Sequence, residues 1–363
     1  MKKLHVGIDI QRDSGFKLKL EMQIKSGEIT ALYGPSGSGK STVLNLIAGL
    51  EKPKGDVRIN AEDEIWVDES TFLDTHKRAV GYVTQRPALL PHLNVMGNLQ
   101  YAKQRRHKNA DIDIEQVSRW LDIQALLNKP VAHLSGGEQQ RVSIARALLS
   151  SPSVMLMDEP LGSLDKNARN RILPFINQLH ERLDSPFLYV THAIEEVAYL
   201  TDTIYLIDAG HIRHCGSTFE LASSLEMNKH EGNAAASVLL CQPLEFDQQD
   251  NLTALALADQ QLLVRGDRSS QSNLRLRIPA SEVSLTLSHS RDTSILNILA
   301  GEVNEIALDE EANSALVKVK IGDQFLLSRI THRSLKHLAL EIGQPVYAQI
   351  KSVGLLSDHV DAK

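Results

Sequence analysis

The sequence predicts an α/β region built on a mainly parallel sheet, followed by an all-β region of small OB-like barrels. Three observations point to it. Short apolar runs of strand length alternate with helix-period stretches up to about residue 227. One of those runs feeds a glycine-rich loop that opens a helix. Beyond residue 227, short strands separated by turn signals replace the alternation. A length of 363 residues suits two domains.

Residues 16–24 (F-K-L-K-L-E-M-Q-I) alternate apolar and polar side chains, the period of a half-buried strand. Residues 29–33 are short and mostly apolar, a buried strand; 34–39 form a loop; 40–50 read as a helix with Val43, Leu44, Ile47 and Leu50 on one face. Further strand-like runs lie at 79–84, 154–157, 187–191 and 203–207, with helical stretches between most of them. Residues 91–150 interrupt the alternation as an inserted helical subdomain. Within it, 111–127 carries Ile112, Ile114, Val117, Trp120, Leu121 and Leu127 at helical spacing.

The first domain is expected over 1–231. A linker and β-rich segment follows over 232–290, with polar, small residues at 228–236 and strands at 252–258, 261–265, 273–278 and 283–287. A second β unit is expected over 291–357, with strands at 301–308, 315–321, 324–330 and 346–353 and one helix-like stretch, 331–340.

Charge and composition narrow the function. Lys and Arg number 39 against 45 Asp and Glu, a net charge of −6, without the basic stripe of a nucleic-acid binder. A hydrophobic content of 42% with 23% charged residues belongs to a globular chain and excludes disorder. Aromatic residues, at 4%, are too few to favour a receptor of carbohydrate or stacked bases. Cys215 and Cys241 can build neither a disulfide framework nor a four-cysteine zinc site, which fits a reducing compartment. The N-terminus breaks into charge before a signal-peptide core forms, and no run reaches the roughly 18 apolar residues of a membrane span. The expectation is a cytoplasmic protein, free to dock on a membrane partner.

Gly34-Pro35-Ser36-Gly37-Ser38-Gly39-Lys40-Ser41-Thr42 fits G-x-x-x-x-G-K-[ST] at every position, after an apolar strand and before a helix. Glycines let backbone N–H groups turn inward around phosphate oxygens, and the following helix points its positive end at them. Lys40 is then placed to bridge the β- and γ-phosphates of ATP, and Ser41 to ligate Mg²⁺. Val154-Met155-Leu156-Met157-Asp158-Glu159 is a buried strand ending in two carboxylates, at the strand end where open α/β sheets bind ligands. Asp158 is expected to hold Mg²⁺ and Glu159 to orient and deprotonate the attacking water.

Leu134-Ser135-Gly136-Gly137-Glu138-Gln139-Gln140-Arg141 opens a second helix. Ser135 and Glu138 have capping-box spacing, yet two glycines before the polar run exceed what capping needs and suit another phosphate-binding terminus. This stretch resembles the signature motif of ATP-binding cassette (ABC) ATPases, and residues 1 to about 230 resemble one such domain throughout. The resemblance implies a homodimer in which each signature, Ser135-Gly136-Gly137, closes over ATP held by the partner. It implies that Gln85 contacts Mg²⁺ and the attacking water, that Ser163-Leu164-Asp165 crosses to the partner, and that His192 contacts the γ-phosphate. The family usually has an aromatic near its N-terminus that stacks on adenine; the nearby candidate here is Phe16, which also suits a core position.

A single ATPase domain of this kind implies two separate transmembrane permease subunits, an extracytoplasmic substrate-binding protein and a place on the cytoplasmic face of the inner membrane. The apolar, proline-containing run 86–93 either helps form the groove for a permease helix or packs within the subdomain. Arg291-Asp292-Thr293-Ser294-Ile295-Leu296-Asn297, with the strands that end in Tyr347-Ala348-Gln349-Ile350-Lys351-Ser352-Val353, resembles the molybdate-binding-type (Mop/TOBE) barrel. Together with the ATPase region, this resembles the ATP-binding subunits of molybdate importers. Importers of sulfate, polyamines or metals, and a cytoplasmic oxyanion-responsive ATP switch, are the alternatives. Thr293, Ser294, Asn297, Lys351 and Ser352 offer hydroxyls, an amide and a cation suited to a tetrahedral dianion such as molybdate. Related barrels serve dimer contact and regulation instead, so both readings stand.

Overall fold

The computed structural model describes residues 2–106, 112–162, 164–165, 168–169, 172–177, 185–225, 235–270, 273–310, 312–351 and 354–355. Tertiary contacts divide the chain into two units, 1–216 and 217–363. The expected boundary at 231/232 therefore moves to 216/217. The cause is the short helix Thr218–Ala222, which packs on strands Ala236–Asp247 and Gln324–Thr331 of the second unit.

The first unit carries strands β1 (Lys3–Gln11), β2 (Lys17–Lys25), β3 (Ile29–Tyr33), β4 (Gly55–Ala61), β5 (Glu64–Val67), β6 (Val80–Val83), β7 (Val154–Asp158), β8 (Phe187–Thr191), β9 (Thr203–Asp208) and β10 (His211–Ser217). Its described helices are α1 (Lys40–Ala48), α2 (Val95–Gln104), α3 (Ile114–Trp120), α4 (Gly136–Leu149) and α5 (Ile194–Leu200). All ten strands form one sheet in the order β5-β4-β1-β2-β10-β9-β3-β8-β7-β6. The arm β9-β3-β8-β7-β6 is parallel and carries helices between its strands, as expected. The rest is not mainly parallel: β1, β2, β4 and β5 pair antiparallel. Residues 3–11 were expected only as a charged N-terminus, but Leu4, Val6, Ile8 and Ile10 alternate and are buried. The charges between them face outward, so polarity there marks a half-buried strand rather than a loop.

Two of the expected helices end early, each at a residue with left-handed backbone. Helix α1 stops at Ala48 because Gly49 adopts φ 74° and its N–H turns back to Asn45 and Leu46 carbonyls. Leu50, expected on the packed face, is consequently 59% exposed. The stretch 111–127 is not one helix. Asp113 caps α3 by accepting from the Gln116 N–H, the chain leaves the helix at Leu121 and Asp122 (φ 50°), and a 3-10 turn follows at Gln124–Leu126. Asp111 lies outside the described residues.

Helix α1 is anchored by a buried cation. Arg78 is 2% exposed and donates to the carbonyls of Leu46 (2.8 Å) and Ile47 (2.6 Å), the last turn of α1, and to Leu73 (2.8 Å). Trp66 and Phe72 face its guanidinium at 5.7 and 5.1 Å. Burial pulls its pKa down to about 10, so the charge persists at neutral pH. A positive group at the carbonyl end opposes the negative pole of the helix, whose other end opens at the phosphate-type loop.

The second unit holds β11 (Ala236–Asp247), β12 (Leu252–Leu257), β13 (Gln260–Arg265), β14 (Leu274–Pro279), β15 (Val283–Thr286), β16 (Asn297–Asp309), β17 (Ser314–Ile321), β18 (Gln324–Thr331), β19 (Pro345–Ile350) and β20 (Gly354–Leu355), with helices α6 (Thr218–Ala222) and α7 (His332–Leu338). These make two five-stranded sheets, β13-β12-β11-β14-β20 and β15-β19-β16-β17-β18. Most of the expected linker 228–236 lies outside the described residues, and β11, not expected as a strand, begins at its end. The expected break at 290/291 is not a domain boundary: β15 pairs with β19, β20 pairs with β14, and one apolar core spans both sheets.

Three side-chain amides stitch the sheets by imitating backbone pairs. Asn297 accepts from the Leu263 N–H (2.7 Å) and donates to its carbonyl (3.0 Å). Gln260 does the same to Ala300, and Gln324 to Leu240.

Replacing Arg78 by Ala should orphan the end of α1 and empty the aromatic box, costing about 3 kcal/mol or more in denaturant-induced unfolding. Asn297→Asp sets a carboxylate against the Leu263 carbonyl and should lower stability by about 1–3 kcal/mol at neutral pH, with partial recovery in acid as the new carboxylate is protonated.

Candidate functional site

Four of the expected functional segments leave neighbouring strands of the parallel arm. Along it, β3, β8, β7 and β6 are consecutive. Their register sets Tyr33 beside Thr191, Val190 beside Asp158 and Met157 beside Val83. The loop 34–39 after β3, His192 after β8, Glu159 after β7 and Gln85 after β6 therefore emerge along one carboxyl edge, where such sheets bind ligands. β3, β7 and β8 are buried along nearly their whole length, so their ends are held by core packing on both faces.

The loop is shaped for close approach. A Cβ on Gly34 would run into the Ile207 carbonyl, and Gly37 (φ 81°) and Gly39 (φ 107°) occupy left-handed backbone. Lys40, 6% exposed, folds back so that its Nζ donates to the carbonyls of Gly34 (2.8 Å) and Pro35 (2.7 Å). Burial lowers the pKa of this ammonium, while Glu159 and Asp158 act in the opposite direction. The Ser38 hydroxyl is buried in the loop without a hydrogen-bond partner.

Asp158 and Glu159 differ in setting. Burial pushes the Asp158 carboxyl up, against a hydrogen bond from Ser41 that favours its charged form. Glu159 stands at φ 43°, a strained position for a side-chain-bearing residue. Its carboxylate accepts from Gln85 Nε2 at 3.0 Å on one oxygen and lies 2.9 Å from His192 Nδ1 on the other. Gln85, Glu159 and His192 thus form one hydrogen-bonded row.

A cavity of about 440 Å³ is lined by Ser36, Gly37, Gly39, Lys40, Ser41, Thr42, Gln85 and Glu159, and also by Arg12, Ser14 and Phe16. Phe16 packs partly against the core cluster shared by β1, β2, α1 and the parallel strands, and also faces this cavity. Arg12, held by Glu51 at 2.7 and 2.8 Å, was missed: it lies on the hairpin between β1 and β2, and no sequence signal joins that turn to the loop after β3. Among the described residues no three His, Cys, Asp or Glu side chains converge as a metal cage. The hydroxyl of Ser41 beside Asp158 instead suits a Mg²⁺ ion that keeps phosphate and water ligands.

Ser135 does cap α4: its Oγ accepts from the Glu138 N–H (3.3 Å), and its N–H donates to the Glu138 carboxylate (2.7 Å). Gly136 faces open space. With Gly137, Trp120, Asp122, Arg141 and Asp165, these residues line a second cavity of about 570 Å³ that shares no residue with the first. Ser163 lies outside the described residues; Leu164 and Asp165 stand beside the signature in this second cavity. In the 86–93 run, Leu89 packs on the helical core and Leu90 exchanges two hydrogen bonds with buried Asn98, which is subdomain packing.

Among the described residues, the expected oxyanion candidates are not brought together by hydrogen bonds. The Asn297 amide pairs through Oδ1 and one Nδ2–H with the Leu263 backbone, and Thr293 Oγ1 accepts from the Ile295 N–H within its own turn. Ser294 and Lys351 are exposed, and Ser352 lies outside the described residues. The signal that singled out Asn297 was its hydrogen-bonding capacity, and the sheet stitch uses it.

Residues 18–162 match the ABC transporter family model, and residues 293–356 match the TOBE domain. The chain is 41% identical over 361 residues to the molybdenum import ATP-binding protein ModC of Albidiferax ferrireducens, covering 97% of this chain and 96% of that protein. It is 40% identical to ModC of Methylococcus capsulatus, covering 94% and 96%. Among solved structures, the dimeric post-hydrolysis state of the ATP-binding cassette MJ0796 bound to ADP and Pi aligns with a TM-score of 0.51 at 27% identity, over 60% of this chain and 99% of that one. CbiO1 from Clostridium perfringens, part of the ABC transporter complex cbiONQ, aligns with 0.51 at 26% identity, over 63% and 94%. With the phosphate-type loop, the carboxylate pair and the signature helix all in place, the chain belongs to the ATP-binding subunits of ABC transporters, in the family of the molybdenum import ATP-binding proteins.

Proposed function

We propose that this protein is the ATP-hydrolysing subunit of a molybdate importer, with tungstate as a second substrate, and that it acts as a homodimer with two ATP molecules between the subunits. The observation that carries this reading is the row Gln85–Glu159–His192 at the carboxyl edge, beside Lys40 and the loop 34–39. The separation of the signature cavity from the loop cavity supports the dimer: one chain holds two unlike half-sites. Near-full-length identity of about 40% to ModC proteins supports the substrate.

The chemistry follows from the geometry. Backbone N–H groups of 34–42 and Lys40 hold the phosphates; Ser41, Gln85 and Asp158 would hold Mg²⁺, which neutralises charge on the phosphates when bound. Glu159 takes the proton of the attacking water, a role that requires it to yield at least one of its present partners. His192, next to it, donates to the γ-phosphate in this reading. Ser135 and the glycine N–H groups of the partner complete the cage around developing charge. No helix among the described residues is long and apolar enough to cross a membrane. Two permease subunits and an extracytoplasmic binding protein supply the translocation path, with this chain on the cytoplasmic face.

Glu159→Gln should still bind ATP and accumulate as a dimer in light scattering, while ATP turnover falls by about 100-fold or more; undiminished turnover would remove Glu159 from its role. Lys40→Ala and Ser135→Arg should each be inactive, whereas mixing the two should restore activity, because a heterodimer contains one site free of both lesions. Failure of the mixture would overturn the composite site. In the reconstituted importer, molybdate with its binding protein should stimulate ATP hydrolysis where sulfate, spermidine and divalent metals do not.

A further inference from the structure

Directly behind the γ-phosphate edge lies a buried carboxylate that the mechanism above does not use. Glu196, on α5, is 2% exposed. One of its oxygens, Oε2, accepts from the hydroxyls of Thr191 (2.8 Å) and Tyr189 (2.9 Å), both buried at the end of β8. The other, Oε1, faces Arg169 Nε at 3.5 Å. Burial pushes the Glu196 carboxyl up, while the two hydroxyls and the Arg169 guanidinium favour its charged form. A carboxylate with two O–H donors on one oxygen and a cation on the other is the arrangement that makes burying an ion tolerable.

The position of His192 follows from these contacts. Thr191 Oγ1 donates to Glu196 and accepts from the Ala193 N–H at 3.0 Å, so one hydroxyl spans the backbone on both sides of His192. His192 is itself 59% exposed and touches the rest of the site through Glu159. Its backbone is therefore fixed from below by Thr191, and Thr191 by Glu196. Arg169 in turn starts from Asp165: the Arg169 N–H donates to the Asp165 carbonyl (2.9 Å), and Asp165 Oδ1 accepts from the Ala168 N–H (2.9 Å). Asp165 lines the signature cavity.

We infer that Glu196 is a positioning residue for ATP hydrolysis, holding His192 in register with Glu159 through Thr191 and tying that register, through Arg169, to the segment at Asp165 that borders the signature. This rests on the hydrolase reading above. Glu196 touches neither nucleotide nor water; it acts on the rate by placing His192.

The test uses the full-length protein and steady-state ATP hydrolysis. Glu196→Gln keeps the shape of the side chain and removes its charge. It should melt near the parent temperature, keep KM for ATP within about twofold and lose about tenfold or more in kcat. Arg169→Gln should act in the same direction, and the double variant should be no worse than the poorer single one. Because the effect runs through His192, Glu196→Gln in a His192→Ala background should cost less than about twofold further. Should Glu196→Gln fail to fold, Thr191→Val, which deletes the hydroxyl at constant shape, carries the same expectations. An active parent whose Glu196→Gln variant retains kcat within about twofold, or loses its full factor again in the His192→Ala background, overturns this inference alone. A parent that hydrolyses no ATP overturns the hydrolase reading and this inference with it.

Discussion

The parallel pairing of β3 with β8, and of β8 with β7, is the constraint on which the site depends. Residues 34, 159 and 192 are far apart in sequence, and a shift of one residue between these strands would turn every side chain of the shifted strand to the other face. Both faces of these strands are buried, so slipping them would expose apolar side chains and break packing on two sides at once. The register is thus enforced by the core, and the site inherits its alignment. Loops carry the chemistry, and their anchor points are the ends of buried strands.

Within that frame the charges are arranged in depth. Lys40 is folded onto loop carbonyls, Asp158 is sunk beside Ser41, and Glu159 stands further out between Gln85 and His192. Behind them lies the Glu196 cluster, remote from solvent. A preorganised set of dipoles of this kind costs little reorganisation when negative charge develops on transferred phosphate. At the opposite end of α1, Arg78 occupies the carbonyl pole, so the helix that presents its positive end to the loop is stabilised at its far end as well. The two ends of a nine-residue helix are therefore fixed by different parts of the first unit.

The second unit follows another logic. Its two sheets trade strands and share a core, and three amides complete backbone pairs where strands of different sheets meet. Of the side chains that look available for ligand binding in the sequence, Asn297 and Thr293 make structural hydrogen bonds. Asn297 is the clearest example: its amide pairs with a backbone N–H and C=O together, which fixes its orientation on Leu263.

Much of the first unit was legible in the sequence, because its signals are local. The alternation in residues 17–25, the apolar runs of β3, β7 and β8, and the glycine spacing of 34–39 each report their own conformation directly. The candidates Lys40 and Glu159 stood out by motif and strand end and Gln85 by resemblance to the family, and the three line one cavity. Tertiary structure decided what depends on partners distant along the chain. It made β1 a strand through its pairing with β2 and β4, ended α3 at a left-handed aspartate and placed Arg12 beside the phosphate-type loop. It also exchanged β15 and β20 between sheets, spent Asn297 on Leu263 and buried Glu196 behind His192. A local pattern fixes dihedral angles and which face is apolar, whereas a hydrogen bond or ion pair between segments exists only once the core has brought them together.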